Sequence, residues 1–236
     1  EKKSITVVEL AEMFDVTEET IRRDLKILEE ENFLTRTYGG AFIQDGVLND
    51  INLSIRENIL VDNKEQIASL CLPHIQNGDS IFIDPSTTAL FVANSIKEMR
   101  VTVLSNSLKV MDLLSPYKNI NLIGIGGTFS SRHMAFFGRN TTLALKEYYV
   151  DKAFISCRSV SLEKGITDSS ESMAQIRQDI IDRSNEVFLL ADHTKFDKAS
   201  FLHICNLDKI HYLVTDNDLS HEWKEYCQDK KIKILE

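Results

Sequence analysis

The sequence predicts a two-part α/β chain: a small unit of two short helices and a β-hairpin, then a larger unit built on a mostly parallel sheet covered by helices. Three observations carry that expectation. A length of 236 residues exceeds one typical domain and suits one small and one medium domain. Residues 6–43 hold two helical apolar patterns, then two short alternating runs around Gly39-Gly40. From residue 80 onward, short apolar runs alternate with helix-length stretches, the pattern of a parallel sheet with helices on both faces.

Composition narrows the function classes. Hydrophobic residues make up 43% of the chain, enough for a buried core. No apolar run reaches the roughly 18–20 residues of a membrane span, and no secretory signal opens the chain. Cys71, Cys157, Cys205 and Cys227 form no close pair, so neither a zinc knuckle nor a disulfide framework is suggested, and a reducing cytoplasm fits. The net charge of -9 argues against a general polyanion binder. Residues 1–60 carry seven Lys/Arg against thirteen Asp/Glu, so any contact with DNA has to come from a local arrangement of charge. The chain opens without Met and almost inside its first motif, and a further N-terminal segment is expected.

Thr6-Val7-Val8-Glu9 fits a capping box and starts a helix with Val7, Leu10, Ala11 and Phe14 on one side. Asp15-Val16 makes a turn. Thr17 caps a second helix, from Glu18 to about Glu31, in which Ile21, Leu25 and Leu28 form a buried stripe. Thr17, Thr20, Arg22, Arg23 and Lys26 lie on its N-terminal half, the arrangement a recognition helix needs: arginine forks onto guanine edges, while Lys and Thr hold phosphates. The plainer reading is a solvated amphipathic helix with Glu19 and Arg23 paired at i, i+4. The segment that follows favours recognition. Phe33–Tyr38 alternates, Gly39-Gly40 turns, and Ala41-Phe42-Ile43 returns, so two helices are followed by a hairpin. That makes a winged helix, with Arg36 placed to meet backbone or minor groove.

Residues 46–63 read as a linker, and a helix begins at Asn63 and closes at Asn77-Gly78. Strands are expected at 80–84, 101–106, 120–127, 153–160, 187–192 and 212–216, with helices near 87–99, 107–115, 139–148, 171–185 and 219–229. Ligands of such sheets bind at the carboxyl ends of the strands, so polar residues there are the candidates. They are Asp84 with Ser86, Thr87 and Thr88; Asn106 and Ser107; Gly126 and Gly127; Gly165, Thr167 and Asp168; and Lys195. Ser86-Thr87-Thr88 follows a strand and opens a helix, where free N–H groups and hydroxyls suit an anion.

The run from Val7 to Phe42 resembles the DNA-binding domain of the DeoR family of bacterial sugar-metabolism repressors, most specifically in Thr20–Leu25 and in Arg36, Gly39, Gly40 and Ala41. The rest of the chain is similar to the same family's C-terminal half, whose fold is like ribose-5-phosphate isomerase. The resemblance rests on the D-x-S-T-T loop, the Asn106-Ser107 pair, Gly126-Gly127, the G-x-T-D segment and the D-x-T-K-F segment from Asp192 to Phe196. Two departures are noted: Pro85 and Ser86 stand in a loop that is often glycine-rich, and Arg177 stands where many members carry lysine.

The resemblance implies a cytoplasmic repressor that binds double-stranded operator DNA through residues 1–45, and a phosphorylated sugar through residues 64–236. By charge, Thr87 and Thr88 suit the phosphate, Asp84 and Asp168 the sugar hydroxyls, and Lys195 the phosphate or a ring oxygen. No metal, catalytic residue or further cofactor is expected, and a homo-oligomer, at least a dimer, is. Two other classes are weighed: a sugar-phosphate isomerase with an appended regulatory domain, and a protein-interaction module whose winged helix leaves DNA alone.

Overall fold

A computed structural model describes residues 4–30, 34–37, 39–42 and 53–236 of the chain. It divides into two compact units, Glu1–Val61 and Asp62–Glu236.

The first unit contains β1 (Ser4–Thr6), α1 (Val7–Phe14), α2 (Glu18–Glu30), β2 (Thr35–Thr37), β3 (Gly40–Phe42) and α3 (Leu53–Glu57). The capping box forms: Glu9 N–H donates to Thr6 Oγ1 at 3.1 Å, and Thr6 N–H donates to Glu9 Oε2 at 2.9 Å. Asp15, in the left-handed region at φ 53°, ends α1. Thr17 Oγ1 accepts from Thr20 N–H at 3.3 Å and starts α2. The hairpin β2–β3 gains a third strand, because β1 pairs with β3. Val7, Ile21, Leu25 and Ala41 form the small core, with Leu10, Ala11 and Leu34 against it. The expected stripe on α2 is shorter than the spacing suggests. Leu28 is 38% exposed, because the eight residues of α1 cannot cover the last turns of a thirteen-residue helix. Phe14 is exposed as well. Glu31, Phe33, Tyr38 and Ile43, read as parts of the helix and hairpin, lie outside the described residues, as do residues 46–52 of the linker.

The second unit runs α4 (Val61–Cys71), β4 (Ser80–Ile83), α5 (Thr87–Ser95), β5 (Thr102–Ser105), α6 (Leu108–Leu114), β6 (Asn121–Gly124), β7 (Thr128–Ser130), β8 (Ala135–Phe137) and α7 (Arg139–Leu145). It continues with β9 (Val150–Ser156), β10 (Ser159–Ser161), β11 (Gly165–Asp168), α8 (Glu171–Ile181), β12 (Ser184–Leu190), β13 (Leu202–Cys205), β14 (Tyr212–Val214), α9 (His221–Lys230) and β15 (Lys233–Leu235). Seven strands form one sheet in the order β15-β14-β12-β9-β4-β5-β6, and every pairing in it is parallel. Both faces of the inner strands are buried, which is why those strands read as apolar runs. Ile81, Ile83 and Phe154 face α4, α5 and α6, while Phe82, Ala153 and Ile155 face α7, α8 and α9.

The strand order reverses between β4 and β9. Strands β4, β5 and β6 proceed to one side, and the chain then returns to place β9 on the other side of β4. Such a reversal opens a crevice at the carboxyl ends, because the helices following β4 and β9 cover opposite faces.

Two smaller sheets were not legible as such. The hairpin β7–β8 follows β6, and β10, β11 and β13 form an antiparallel sheet of their own. Gly165–Asp168, expected as a loop after a strand, is therefore itself strand β11. Gly165 sits at φ +67°, and a Cβ there would lie 2.6 Å from the Cys205 carbonyl oxygen, so glycine is what lets β13 approach. No helix among the described residues is long and apolar enough to cross a membrane.

Gly165→Ala combines a left-handed backbone with a backbone clash and should cost roughly 2 kcal/mol or more. Urea denaturation checks this; a loss below about 0.5 kcal/mol, the range of a neutral surface change, contradicts the packing role.

Candidate functional site

On α2 the structure exposes the side chains a recognition helix would use, but not equally. Arg23 is the freest: its side chain is 73% exposed, and Asp24 Oδ1 lies 3.5 Å from Nε. Lys26 is exposed, with Glu30 3.9 Å away. Arg22 donates to Glu18 Oε2 at 2.7 Å, so the i, i+4 pairs on this helix are Glu18 with Arg22 and Lys26 with Glu30, and Arg23 pairs with its neighbour Asp24 instead of Glu19. Thr17 and Thr20 share a hydroxyl contact of 3.0 Å at the first turn. Arg36 is placed differently from the expectation. Its Nε donates to Glu29 Oε2 and its N–H to Glu29 Oε1, both at 2.8 Å, and these bonds hold the Glu29 carboxyl below its ordinary range. Arg36 thus ties β2 to α2.

In the second unit the crevice between β4 and β9 is organised by one buried arginine. Asp84 follows β4 and has no solvent exposure. Its Oδ2 accepts from Arg177 Nε at 2.9 Å and Nη2 at 2.8 Å, and from Ser156 N–H, at the end of β9, at 3.1 Å. Its Oδ1 accepts from Ser86 N–H at 2.9 Å. Arg177 Nη1 also pairs with Asp168 Oδ2, and Asp168 Oδ1 accepts from Ser169 N–H at 2.7 Å and Ser170 N–H at 2.9 Å. Burial alone would lower the Arg177 guanidinium; Asp84 and Asp168 outweigh it and hold the group above its ordinary value. Burial likewise pushes the Asp168 carboxyl up, and Arg177 with the two backbone N–H groups brings it below the usual carboxylate range.

This arrangement reassigns two residues. Asp84, read as an acceptor for sugar hydroxyls, is shut away with both oxygens in use, and Asp168 is nearly so. Both hold the site's frame. Arg177, noted in the sequence only as a departure, is the residue that joins them.

The turn that Asp84 holds leads into α5. Ser86 Oγ caps Ala89 N–H at 3.1 Å, and Ser86 C=O accepts from Leu90 N–H. Among the described residues, the Thr87 and Thr88 N–H groups and hydroxyls have no partner. These four donors lie together at the first turn of a helix, where the helix dipole also favours an anion.

The remaining candidates divide. Ser107 caps Val110 N–H at 3.3 Å, and Asn106 Nδ2 donates to Phe136 C=O at 2.8 Å, joining β5 to β8. Asn106 Oδ1 is buried without a protein partner. Gly127 serves close packing, since a Cβ there would lie 2.1 Å from Thr141 Oγ1, which in turn donates to Gly126 C=O at 2.9 Å. Thr167 Oγ1 bonds Ser159 C=O and Ser200 N–H, within the small sheet. Lys195 Nζ is 3.8 Å from Asp192 Oδ2 and mostly covered. Burial pushes the Cys157 thiol, just after β9, up to about 12. Asp84, Thr87, Asp168 and Arg177 are thus tied to the reversal with Thr88 beside them, Lys195 lies on the segment after β12, and Gly127, Gly165 and Thr167 make packing contacts within the fold, while a Cβ at Gly126 would meet nothing within 4 Å.

Residues 1–46 match the family model of the DeoR-like helix-turn-helix domain, and residues 60–217 that of the DeoR C terminal sensor domain. The chain is similar to the HTH-type transcriptional regulator YulB of Bacillus subtilis, at 37% identity over 99% of this chain and 90% of that protein. It is similar to the lactose phosphotransferase system repressor of Lactococcus lactis, at 33% identity over 94% and 88%. It is also similar to the L-fucose operon activator of Haemophilus influenzae, at 29% identity over 98% and 92%. Among solved structures, the eIF2B-beta2-delta2 complex of C. thermophilum shares the fold at TM-score 0.51 and 16% identity, over 72% of this chain and 61% of that one. Ribose 5-phosphate isomerase A of Methanocaldococcus jannaschii matches at TM-score 0.43 and 20% identity, over 58% and 55%.

Arg177→Met should cost roughly 3–5 kcal/mol, because it leaves two buried carboxylates without their cation. The pH dependence follows from Asp168. Its folded-state carboxyl titrates below the unfolded value of about 4, so its contribution is complete above that pH and is lost as pH falls through the folded value. Urea denaturation from neutral pH downward should show the gap between wild type and Asp168→Asn closing below about pH 4. A gap of constant size contradicts the assignment.

Proposed function

The chain belongs to the DeoR family of helix-turn-helix transcriptional regulators, and on that premise we propose that it represses a sugar-utilisation operon under the control of a phosphorylated sugar. Two relatives are named for carbohydrate systems, one as a repressor and one as an activator; repression is the sign we adopt. The protein acts on DNA in the cytoplasm. One winged helix covers one half-site, so an operator with two half-sites calls for at least a dimer.

The observation that carries the effector reading is the first turn of α5. Unpartnered donors of Thr87 and Thr88 converge at a strand end, at the reversal of strand order. Phosphate binds these donors, and Lys195 adds positive charge nearby. Asp84 and Asp168 would repel a phosphate if free, and Arg177 neutralises them. Asn106 Oδ1, a buried acceptor without a partner, suits a hydroxyl of the sugar. The same geometry speaks against an isomerase: the carboxylates that would move protons are held by Arg177, and Asp168 is held in its ionised form. On the DNA side, the freely exposed Arg23 is the base reader, and Lys26 a phosphate contact.

Thermal-shift screening of a phosphosugar panel identifies the effector, since a ligand of the folded state raises apparent stability. Calorimetry with that sugar phosphate should then show Thr87→Ala weakened about ten- to a hundred-fold, the worth of one hydrogen bond to a charged group. Operator affinity of Thr87→Ala should stay at the wild-type level. Equal binding of the unphosphorylated sugar and its phosphate ester by the wild type would show that α5 is not a phosphate site. In gel shifts Arg23→Ala should lose roughly 1–3 kcal/mol of operator binding. Unchanged affinity removes Arg23 from the interface.

A further inference from the structure

The segment after β12 carries two basic side chains with different partners. Lys195 Nζ lies 3.8 Å from Asp192 Oδ2, just after the end of β12, the strand that pairs with β9. His193 meets Asp216, which follows β14: its Nδ1 lies 2.7 Å from Asp216 Oδ2, and its backbone N–H donates to Asp216 Oδ1 at 2.7 Å. The Asp216 side chain has no solvent exposure, while the His193 side chain is 44% exposed. A third donor completes the cluster. Asn63 Nδ2 reaches Asp216 Oδ2 at 2.6 Å from 153 positions away.

Asn63 is in the first turn of α4, one residue past the start of the second unit at Asp62. Chain continuity makes that turn the point at which the second unit joins the DNA-binding one. Its neighbour Lys64 is buried, with Nζ 6.0 Å from the centroid of the Phe91 ring on α5, the helix whose first turn carries Thr87 and Thr88. The start of α4 is therefore linked to two elements that carry candidate effector residues: the 193–195 segment through Asp216, and α5 through Phe91.

We propose that the His193–Asp216–Asn63 cluster is the relay by which occupancy of the effector site reaches the linker. The proposal rests on the effector reading above. A phosphate drawn to Lys195 shifts the short segment that also carries His193. Asp216 accepts from both His193 and Asn63, so a change at one donor is felt by the other, and by linkage the effect runs equally in both directions. Among the described residues Asn63 bonds Asp216 and neither Thr87 nor Thr88; its role is to position.

Amide hydrogen exchange on the full chain tests this in two arms. Without ligand, Asn63→Ala should speed exchange of residues 193–195 about five-fold or more, the lower range of a coupling between sites, while β12 keeps its wild-type rates. With saturating inorganic phosphate as the probe, wild type should slow exchange in both 193–195 and 62–66. Asn63→Ala should keep the first protection and lose the second, and Asp216→Asn should behave the same way. Wild-type exchange at 193–195 in ligand-free Asn63→Ala overturns the relay, and so does undiminished protection of 62–66 in that variant. Phosphate that protects neither segment in wild type overturns the effector-site reading instead, and the ligand-free arm then decides the relay by itself.

Discussion

The second unit depends on one ionic arrangement, the Arg177 guanidinium held between Asp84 and Asp168. It joins four elements: the end of β4, the end of β9 through Ser156, the end of β11, and the middle of α8. Taking three charges out of water is costly, and the arrangement is tolerable only because the carboxylate oxygens are also met by backbone N–H groups. An apolar cluster would hold the same elements at less cost. What it would not do is point Ser86 N–H back at Asp84 and so fix the turn that aims the first N–H groups of α5.

Charge sets what such a crevice accepts. Asp84, Asp168 and Asp192 bring three negative charges, and Arg177 and Lys195 two positive ones. A site with that balance does not hold a phosphate by net charge. On the proposed reading, oriented dipoles would hold it: the unpartnered N–H groups and hydroxyls of Thr87 and Thr88, with the carboxylates kept out of reach behind Arg177. The first unit obeys a similar economy. It is acidic in sequence, yet its acidic side chains pair off Arg22 and Arg36 and leave Arg23 outward.

How much of this was legible in the sequence differs by element. The capping box at Thr6, the second cap at Thr17, the glycine hairpin and the alternation of apolar strands with helices are local patterns, and local patterns survive folding. Strand β1 is three residues long, too short for any periodicity, and exists because β3 offers it a partner. Strand β11 reads as a loop because its glycine and polar residues serve contacts with β10 and β13, which sequence distance hides. The Ser86-Thr87-Thr88 turn was visible; the fate of Asp84 was not, because its partner lies 93 positions away. One signal could have found it. Arg177 sits within the apolar stripe Met173, Ala174, Ile180 and Ile181 of α8, and an arginine in the middle of a buried stripe implies buried carboxylates to meet it. Asn63, His193 and Asp216 carry no such mark, since each is an ordinary polar residue on its own element.

The claim on which the account turns is that a sugar phosphate enters over Thr87 and Thr88 while Arg177 keeps Asp84 and Asp168 occupied. A crystal structure of the full chain with its cognate sugar phosphate tests that directly. The account predicts phosphate oxygens within about 3 Å of the Thr87 and Thr88 N–H groups, with both Arg177 pairs intact. A phosphate bound elsewhere, or sugar hydroxyls that displace Arg177 from Asp84, would contradict it.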